Sequence, residues 1–455
     1  MRHPHGKFNR LRRSALAFAL ALLSAGTAGA ADLLDVYRDA VANDARFAAA
    51  RAQFEAGQER VVQGRAGLLP QIGLGAQSSY NDSDVRIDSR LSQQRRYNSN
   101  GYGVQLTQPL FRWQNWVEYK QGELYTALAG TEFDLARQDL VLRVAEAYFN
   151  VLNAQDAVAA VSQLRAAAGE QRELARTSFE VGIVTITDVH EAQSRFDLAS
   201  AQEIAALNAL EVARQSLAQI IGREPDALAA LRTGVELQRP QPDRIDDWVA
   251  AAEAGSFSVQ ARELAREIAA QEVERARAGH LPTVDLVASH GVTNRPQAST
   301  DRAENSSIGV QFNLPLYAGG RVASVSREAA ALRMRADADL EDARRAAALA
   351  ARQSWLGVTS GMAQVKALEA ARLSSTSALE ANRLGYEVGV RINIDVLNAQ
   401  TQLADTLLQL ARARYDTLLA QLRLKAAAGT LGEDDIAAIN ALLEPAPPAP
   451  AQRKP

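Results

Sequence analysis

Two stretches of this chain, 207 residues apart, carry one pattern: FEVGIVTITDVHEAQ (179–193) and YEVGVRINIDVLNAQ (386–400), identical at seven of fifteen positions. In each, a glycine interrupts a helix-period segment, and an acid follows at the start of the next. Two further pairs repeat in the same order. GLLPQIGLGAQSSY (67–80) matches GHLPTVDLVASH (279–290), and YGVQLTQPLF (102–111) matches IGVQFNLPLY (308–317). Each half therefore reads helix, short strand, polar loop, short strand, long helix, glycine turn, long helix. A period near 200 residues marks a duplicated fold rather than a solenoid, so the structure must be built from two like halves.

The long segments are helical by period. Apolar residues recur at three- and four-residue spacing over about 33–65, 115–178, 187–221, 245–277, 321–385 and 394–428. In the last, Val396, Leu403, Leu407, Leu410, Leu418 and Leu422 form a stripe of mostly heptad spacing, which means bundle or coiled-coil packing. Abundant alanine in a chain that is 47% hydrophobic favours such close-packed helices. A helix of about 60 residues reaches about 90 Å, more than a compact soluble domain needs. These helices span a distance.

The short segments have the period of strands. Ile72, Leu74 and Ala76 alternate with Gln71, Gly73 and Gln77. Tyr102, Val104 and Leu106 alternate with Gly103, Gln105 and Thr107. Val284, Leu286 and Ala288 alternate with Asp285, Val287 and Ser289, and Ile308, Val310, Phe312 and Leu314 with Gly309, Gln311 and Asn313. One face is apolar and the other small or polar, over roughly 10 residues, the length of a tilted transmembrane strand. The hairpin loops, 81–100 and 293–305, read as long and hydrophilic. Phe111, Trp113, Trp116 and Tyr317 lie where strands give way to helices, a position that suits an interfacial aromatic belt. Four strands cannot close a barrel, because about eight are needed to surround a filled interior. An open sheet in lipid would leave its edges unsatisfied. The barrel must then be shared: two copies give eight strands and a plugged lumen, three give twelve and an open one. A channel points to a trimer.

Residues 1–30 read as a secretory signal. Arg2, Lys7, Arg10, Arg12 and Arg13 precede the apolar run SALAFALALLSAGTAGA, and Ala28-Gly29-Ala30 fits the cleavage pattern. Cleavage takes the net charge from −3 to −8, which gives no reason to expect nucleic acid. The chain has no cysteine, so disulfides, thiolate chemistry and lipidation at the cut are excluded. No phosphate loop, nucleophile elbow or H-E-x-x-H motif occurs, and His190, His280 (within 279–290) and His290, read as a strand end, are scattered. No catalytic, cofactor-binding or metal-binding residue is expected. A secreted coiled-coil scaffold or adhesion protein without a pore would explain the signal and the helices, but not the paired alternating strands.

With LPLYAGGR (314–321), both turn stretches and AAAGTLGEDDIAAINALL (426–443), the chain resembles the TolC family of outer-membrane channel proteins over nearly all of its mature length. The resemblance implies a mainly α fold with a β-barrel part. A homotrimer would form a twelve-stranded outer-membrane barrel, four strands per chain. A long periplasmic α-helical barrel of coiled-coil hairpins, banded by a mixed equatorial region, would continue it. On this reading 31–240 is the first structural repeat, with a strand hairpin at about 70–111 and a helical hairpin at about 115–222. Residues 241–443 are the second, with hairpins at about 282–317 and 321–429, and 444–455 is a tail disordered on composition. The resemblance further implies the exit duct of a tripartite export system in a Gram-negative cell envelope. Its partners would be outer-membrane lipid, a periplasmic adaptor (membrane fusion) protein and an inner-membrane transporter of the ABC or RND type. The GTLGEDDIAAINALL ending and the missing lipidation cysteine lean toward type I protein secretion over small-molecule efflux. The transported substrate is not written in the chain.

Gly182 and Gly389 each end a long helix and permit a tight reversal. The resemblance places both at periplasmic hairpin tips where an adaptor engages. Thr185 and Asp188 have the spacing of a capping box, and Asn393 can cap the last long helix with Asp395 in its first turn. The resemblance implies that Asp395 lies at an acidic pore constriction, with Asn398 where the family carries a second acid, so three copies make a ring of three charges, not six. It also implies closing links between neighbouring hairpins, from Arg391 to the Thr187 region and from Tyr386 to Asp188. A guanidinium fork and a phenol suit those roles as donors.

Overall fold

The computed structural model describes residues 30–444 apart from 88–90, 233 and 298. The expected signal up to residue 29, the tail beyond Glu444 and the tip of the first strand hairpin lie outside the described residues. The helices are α1 (Leu33–Asn43), α2 (Ala45–Ala66), α3 (Trp113–Glu180), α4 (Ile186–Ile221), α5 (Ile245–Gly255), α6 (Phe257–Arg277), α7 (Arg321–Glu387), α8 (Asn393–Ala427) and α9 (Glu433–Asn440). The strands are β1 (Gln71–Ile87), β2 (Leu91–Phe111), β3 (Ala230–Leu231), β4 (Thr283–Gln297), β5 (Thr300–Asn313) and β6 (Leu443–Glu444). Two compact units divide the chain. One takes the residues up to Ala48, Arg137–Val249 and those from Ala350; the other takes Ala49–Ala136 and Ala250–Leu349. Each unit draws on both sequence halves.

The second unit carries the sheet, antiparallel in the order β1-β2-β4-β5. Its strands run 17, 21, 15 and 14 residues, longer than the sequence period indicates. Most of 81–100 and 293–305, expected as loop, is paired strand. The cause is that backbone ladders do not need apolar side chains, and the polar residues pair across the strands. Arg96 Nε lies 3.0 Å from Asp82 Oδ2, and Gln94 donates to the other oxygen of Asp82. His290 is likewise within β4 rather than at its end. The faces separate as the alternation requires. Ile72, Leu106, Ala288 and Ile308 form one row across all four strands, with Leu74 (77% exposed) and Ile308 (76% exposed) open to the surroundings. The opposite face holds Gly75, Gly103, Gly291 and Asn305 in a row. At the base, Arg112 grips Asp285 by two bonds, Nε to Oδ1 at 2.8 Å and NH2 to Oδ2 at 2.6 Å. Phe111, Trp113, Trp116 and Tyr317 are exposed around that base. Helix α2 lies hard against α3: a Cβ on Gly122 would stand 2.6 Å from the Arg60 carbonyl oxygen, so only glycine fits.

The first unit holds the other core. Tyr148, Phe149, Leu152, Leu217, Ile221, Leu418 and Leu422 are buried almost completely. The Tyr148 hydroxyl donates to the Ala229 carbonyl at 2.7 Å, next to the two-stranded β3–β6 sheet. Phe149 stacks on Tyr415 with centroids 5.6 Å apart, and the Tyr415 hydroxyl donates to Asp156 at 2.7 Å. Glu444 of β6 pairs with Ala230 of β3, so the first residue of the segment expected as tail is paired strand. Two helices predicted as continuous are each broken. The 33–65 segment breaks at Asp44, whose extended backbone ends α1 and whose carboxylate accepts the Phe47 N–H at 2.7 Å, starting α2. The 245–277 segment breaks at extended Ser256. Period alone does not see such a break, because the apolar spacing resumes in phase.

Candidate functional site

The two glycine turns close in the same way. The Gly182 N–H donates to the Phe179 carbonyl at 2.9 Å and the Ile183 N–H to that of Ser178 at 2.9 Å. In the second turn, Gly389 donates to Tyr386 at 3.1 Å and Val390 to Gly385 at 2.8 Å. Both glycines have φ of 77°, in the left-handed region that a side chain disfavours. Each is thus a Schellman cap on a long helix, α3 and α7. Around them apolar side chains stand open, Ile183 at 77% and Val390 at 79% exposure. Such paired patches fit a docking surface rather than a core.

Beyond the caps the two tips differ. At the first, the Asp188 carboxylate accepts the Thr185 N–H at 2.8 Å and the Thr185 hydroxyl at 2.7 Å, while the Asp188 N–H donates back to Thr185 Oγ1 at 3.4 Å. This is a complete capping box on α4. At the second, Ile392 occupies the cap position and offers no side-chain bond. Asn393, expected as the cap, is the first helical residue instead. Its side chain is committed to the packed face, buried, with Oδ1 lacking a hydrogen-bond partner.

Asp395 is half-buried in the first turn of α8, with the Arg391 guanidinium 3.6 Å away. Asn398, one turn on, accepts from the Arg195 guanidinium of α4 at 3.1 Å. Arg195 was not singled out from the sequence; its one signal is that it lies seven residues after Asp188, two turns along the same helix. Thr187 is exposed and Tyr386 half-buried. Among the described residues no hydrogen bond joins Tyr386 to Asp188 or Arg391 to Thr187. Behind the tips, Leu397 packs on Ala175 and Ala192, while both amide atoms of buried Gln400 lack partners. The seam between α8 and the first helical hairpin therefore rests on small contacts and on polar groups whose burial opposes it.

Among the described residues no helix is long and apolar enough to cross a membrane. A family model described as Outer membrane efflux protein matches residues 36–223 and 248–430, each span holding one copy of every repeated stretch. The chain belongs to this family. It is 35% identical over 425 residues to the outer membrane protein TolC of Vibrio cholerae, covering 91% of this chain and 94% of that one. It is 33% identical to the alkaline protease secretion protein AprF of Pseudomonas aeruginosa, over 92% of this chain and 88% of that one. Among solved structures, the outer membrane channel CmeC of Campylobacter jejuni superposes with a TM-score of 0.79 at 17% identity, over 90% of this chain and 89% of that one. The outer membrane protein VceC of Vibrio cholerae gives 0.75 at 20% identity, over 87% and 96%. These two show the fold, which is that of the resemblance: barrel strands with long helical hairpins. The family is one of transport proteins.

Proposed function

We propose that this chain is the outer-membrane exit duct of a tripartite export system, acting as a homotrimer with a periplasmic adaptor and an inner-membrane transporter, and catalysing no reaction itself. One observation carries the membrane part. On the outward face apolar residues line up across the strands, Ile72–Leu106–Ala288–Ile308 in one row and Ala76–Tyr102–Val292 in another, and Ile72, Leu74, Ile308, Val310 and Phe312 stand 63–77% exposed. An apolar sheet face this open, backed by a face of small and polar residues, suits lipid on one side and water on the other.

The lumen face, lined by Gly, Gln, Ser and Thr, suits a wet passage. Gly182 and Gly389 form the tips that meet the adaptor, Asp395 and Asn398 line the constriction, and Thr187, Asp188, Tyr386 and Arg391 serve as closing links between neighbouring hairpins. The AprF and TolC relatives favour polypeptide secretion by the type I route, with small-molecule efflux as a further use of the same duct.

Single-channel recording in a planar bilayer tests this. Trimers that insert and conduct support it. Folded trimers that stay soluble without detergent and never conduct would establish the scaffold reading instead. The lipid face has its own test: Val310→Arg, within the band, is expected to cost about 2 kcal/mol of folding stability in phospholipid vesicles. The same change at Gln311, on the lumen face, is expected to be near neutral.

A further inference from the structure

The duplication extends to the pairing of the strands. In the matched stretches, Gln71, Gly75, Gly103 and Thr107 of the first hairpin stand where Thr283, Val287, Gly309 and Asn313 stand in the second. The registers agree residue for residue. Gln71 pairs with Thr107 and Gly75 with Gly103, as Thr283 pairs with Asn313 and Val287 with Gly309. One operation therefore carries the first hairpin onto the second without slippage.

The two hairpins meet along a seam between β2 and β4. There Gly103 faces Gly291, Gln105 faces Ser289 and Pro109 faces Asp285. β1 and β5 are the edges of the sheet, each with a row of N–H and C=O groups that lipid cannot satisfy. The residues of β5 and β1 that match the seam are Gly309 and Ser79, Gln311 and Gln77, and, just past the end of β5, Pro315 and Gly73.

Two features of β5 have no cause within its own chain. Glycine weakens a strand interior unless another backbone comes close. At Gly103 one does: a Cβ there would stand 3.1 Å from the His290 carbonyl oxygen and 3.2 Å from the Gly291 Cα. Its counterpart Gly309 faces nothing within 4 Å. A strand approaching β5 as β4 approaches β2 would give Gly309 the same cause. β5 also ends at Asn313, whereas β2 continues to Phe111, the counterpart of Tyr317. Beyond Thr107, β2 pairs only with β4, so the matching end of β5 has no neighbour in its own chain. Leu316 and Tyr317 are 90% and 88% exposed, against 56% and 42% for their counterparts Leu110 and Phe111.

We infer that β5 of one copy pairs antiparallel with β1 of the next in the register of the β2–β4 seam. Gly309 lies opposite Ser79 of the partner subunit, Gln311 lies opposite the partner's Gln77, and residues 314–317 join the ladder. The occupant of each sheet edge is a second copy of this chain, and the ring closes by repeating one seam within and between copies. The Arg112–Asp285 clamp is not repeated, because Ala318 and Gly73 hold the matching positions, so the seam between copies rests on its ladder. This register deepens the homotrimer proposed above and rests on it.

The chain has no cysteine, so introduced pairs report without background. Gln77 and Gln311 lie on the lumen face of the two edge strands and cannot meet within one chain. Facing strand residues fall within disulfide reach, whereas a two-residue slip separates them by about 7–8 Å. Under mild oxidation in vesicles, Gln77→Cys with Gln311→Cys is expected to link copies about tenfold faster than Gly75→Cys or Ser79→Cys combined with Gln311→Cys. Non-reducing gels follow the rates, and bilayer recording shows that each variant conducts. Faster linking by a slipped pair overturns the register. No linking by any pair in protein that conducts overturns the pairing of β5 with β1. Protein that neither assembles nor conducts overturns the homotrimer reading itself.

Discussion

Arg143→Met is expected to cost about 4 kcal/mol and to remove the part of the first unit's acid sensitivity that Asp44 contributes. Arg143 donates to both Asp44 oxygens, at 2.9 and 3.1 Å, and to Asp139 at 2.7 Å. Asp44 is buried, and it also starts α2 by accepting the Phe47 N–H. Breaking such a pair from one side leaves a buried charge without its partner, which costs more than the pair itself contributes. The Arg143 bonds are the main reason the Asp44 carboxyl titrates below its ordinary value, helped by the Phe47 N–H and opposed by burial. A depressed carboxylate contributes stability that is fully present above its unfolded value, about 4, and is lost as pH falls through the folded value. Wild type should therefore weaken below about pH 4, with Asp44 as one identifiable source. In Arg143→Met that source disappears, because an unpartnered Asp44 gains nothing from ionising. Urea midpoints followed through Trp248 and Trp355, which pack in the same unit, measure this across pH 3–7. Adding Asp44→Asn to Arg143→Met should recover part of the loss, since a neutral amide still accepts the Phe47 N–H. If the acid limb of Arg143→Met parallels wild type, Asp44 is not its source.

This pair also marks where sequence reading stops. Asp44 and Arg143 are 99 residues apart, and Arg112 and Asp285 are 173 apart. Neither pair carries a local pattern, because each becomes adjacent only when distant helices or strands meet. What can be read locally is what local physics decides. The two glycine turns announce themselves because a left-handed residue between helical periods demands glycine. The strand faces announce themselves because lipid and lumen impose period two on hydropathy. The same rule explains the errors. Above Ala76 both faces of β1 and β2 are polar, so the period persists in the backbone and vanishes from the hydropathy, and strand reads as loop. Asn393 looks like a cap by residue type, yet α8 begins one residue too early for it, and its side chain enters the packed face instead. The tip residues are written in a repeated stretch, and so are two of their partners. Asp188 turns to Thr185 by a capping motif and Asp395 to Arg391 at helical i,i+4 spacing, whereas Asn398 turns to Arg195 across 203 residues, a pairing with no local pattern.

The Arg391–Asp395 pair changes what the proposed constriction should do. A ring of three Asp395 carboxylates would by itself favour cations, but each carboxylate has a guanidinium 3.6 Å away, so the proposed ring as a whole would be close to neutral. Removing either partner should then move ion selectivity in opposite directions. Taken at about 8 Å from a pore axis and screened by a Debye length of about 10 Å at 0.1 M salt, three unit charges would amount to about 0.7 kcal/mol on a monovalent ion in water. The cation is favoured and the anion opposed by that amount, which is about tenfold in their permeability ratio. Arg391→Ala should accordingly raise cation over anion permeability about tenfold, and Asp395→Ala should lower it by a similar factor. The double variant should return near wild type. Reversal potentials across a KCl gradient measure all four proteins in one apparatus. At 1 M salt the Debye length falls to about 3 Å and the differences should vanish, which separates a charge effect from a change in pore width. Arg391→Ala with larger conductance but unchanged selectivity would make Arg391 a closing link rather than a counter-charge, and Asp395→Ala with no change at either salt would return Asp395 to the first turn of its helix as a dipole partner only.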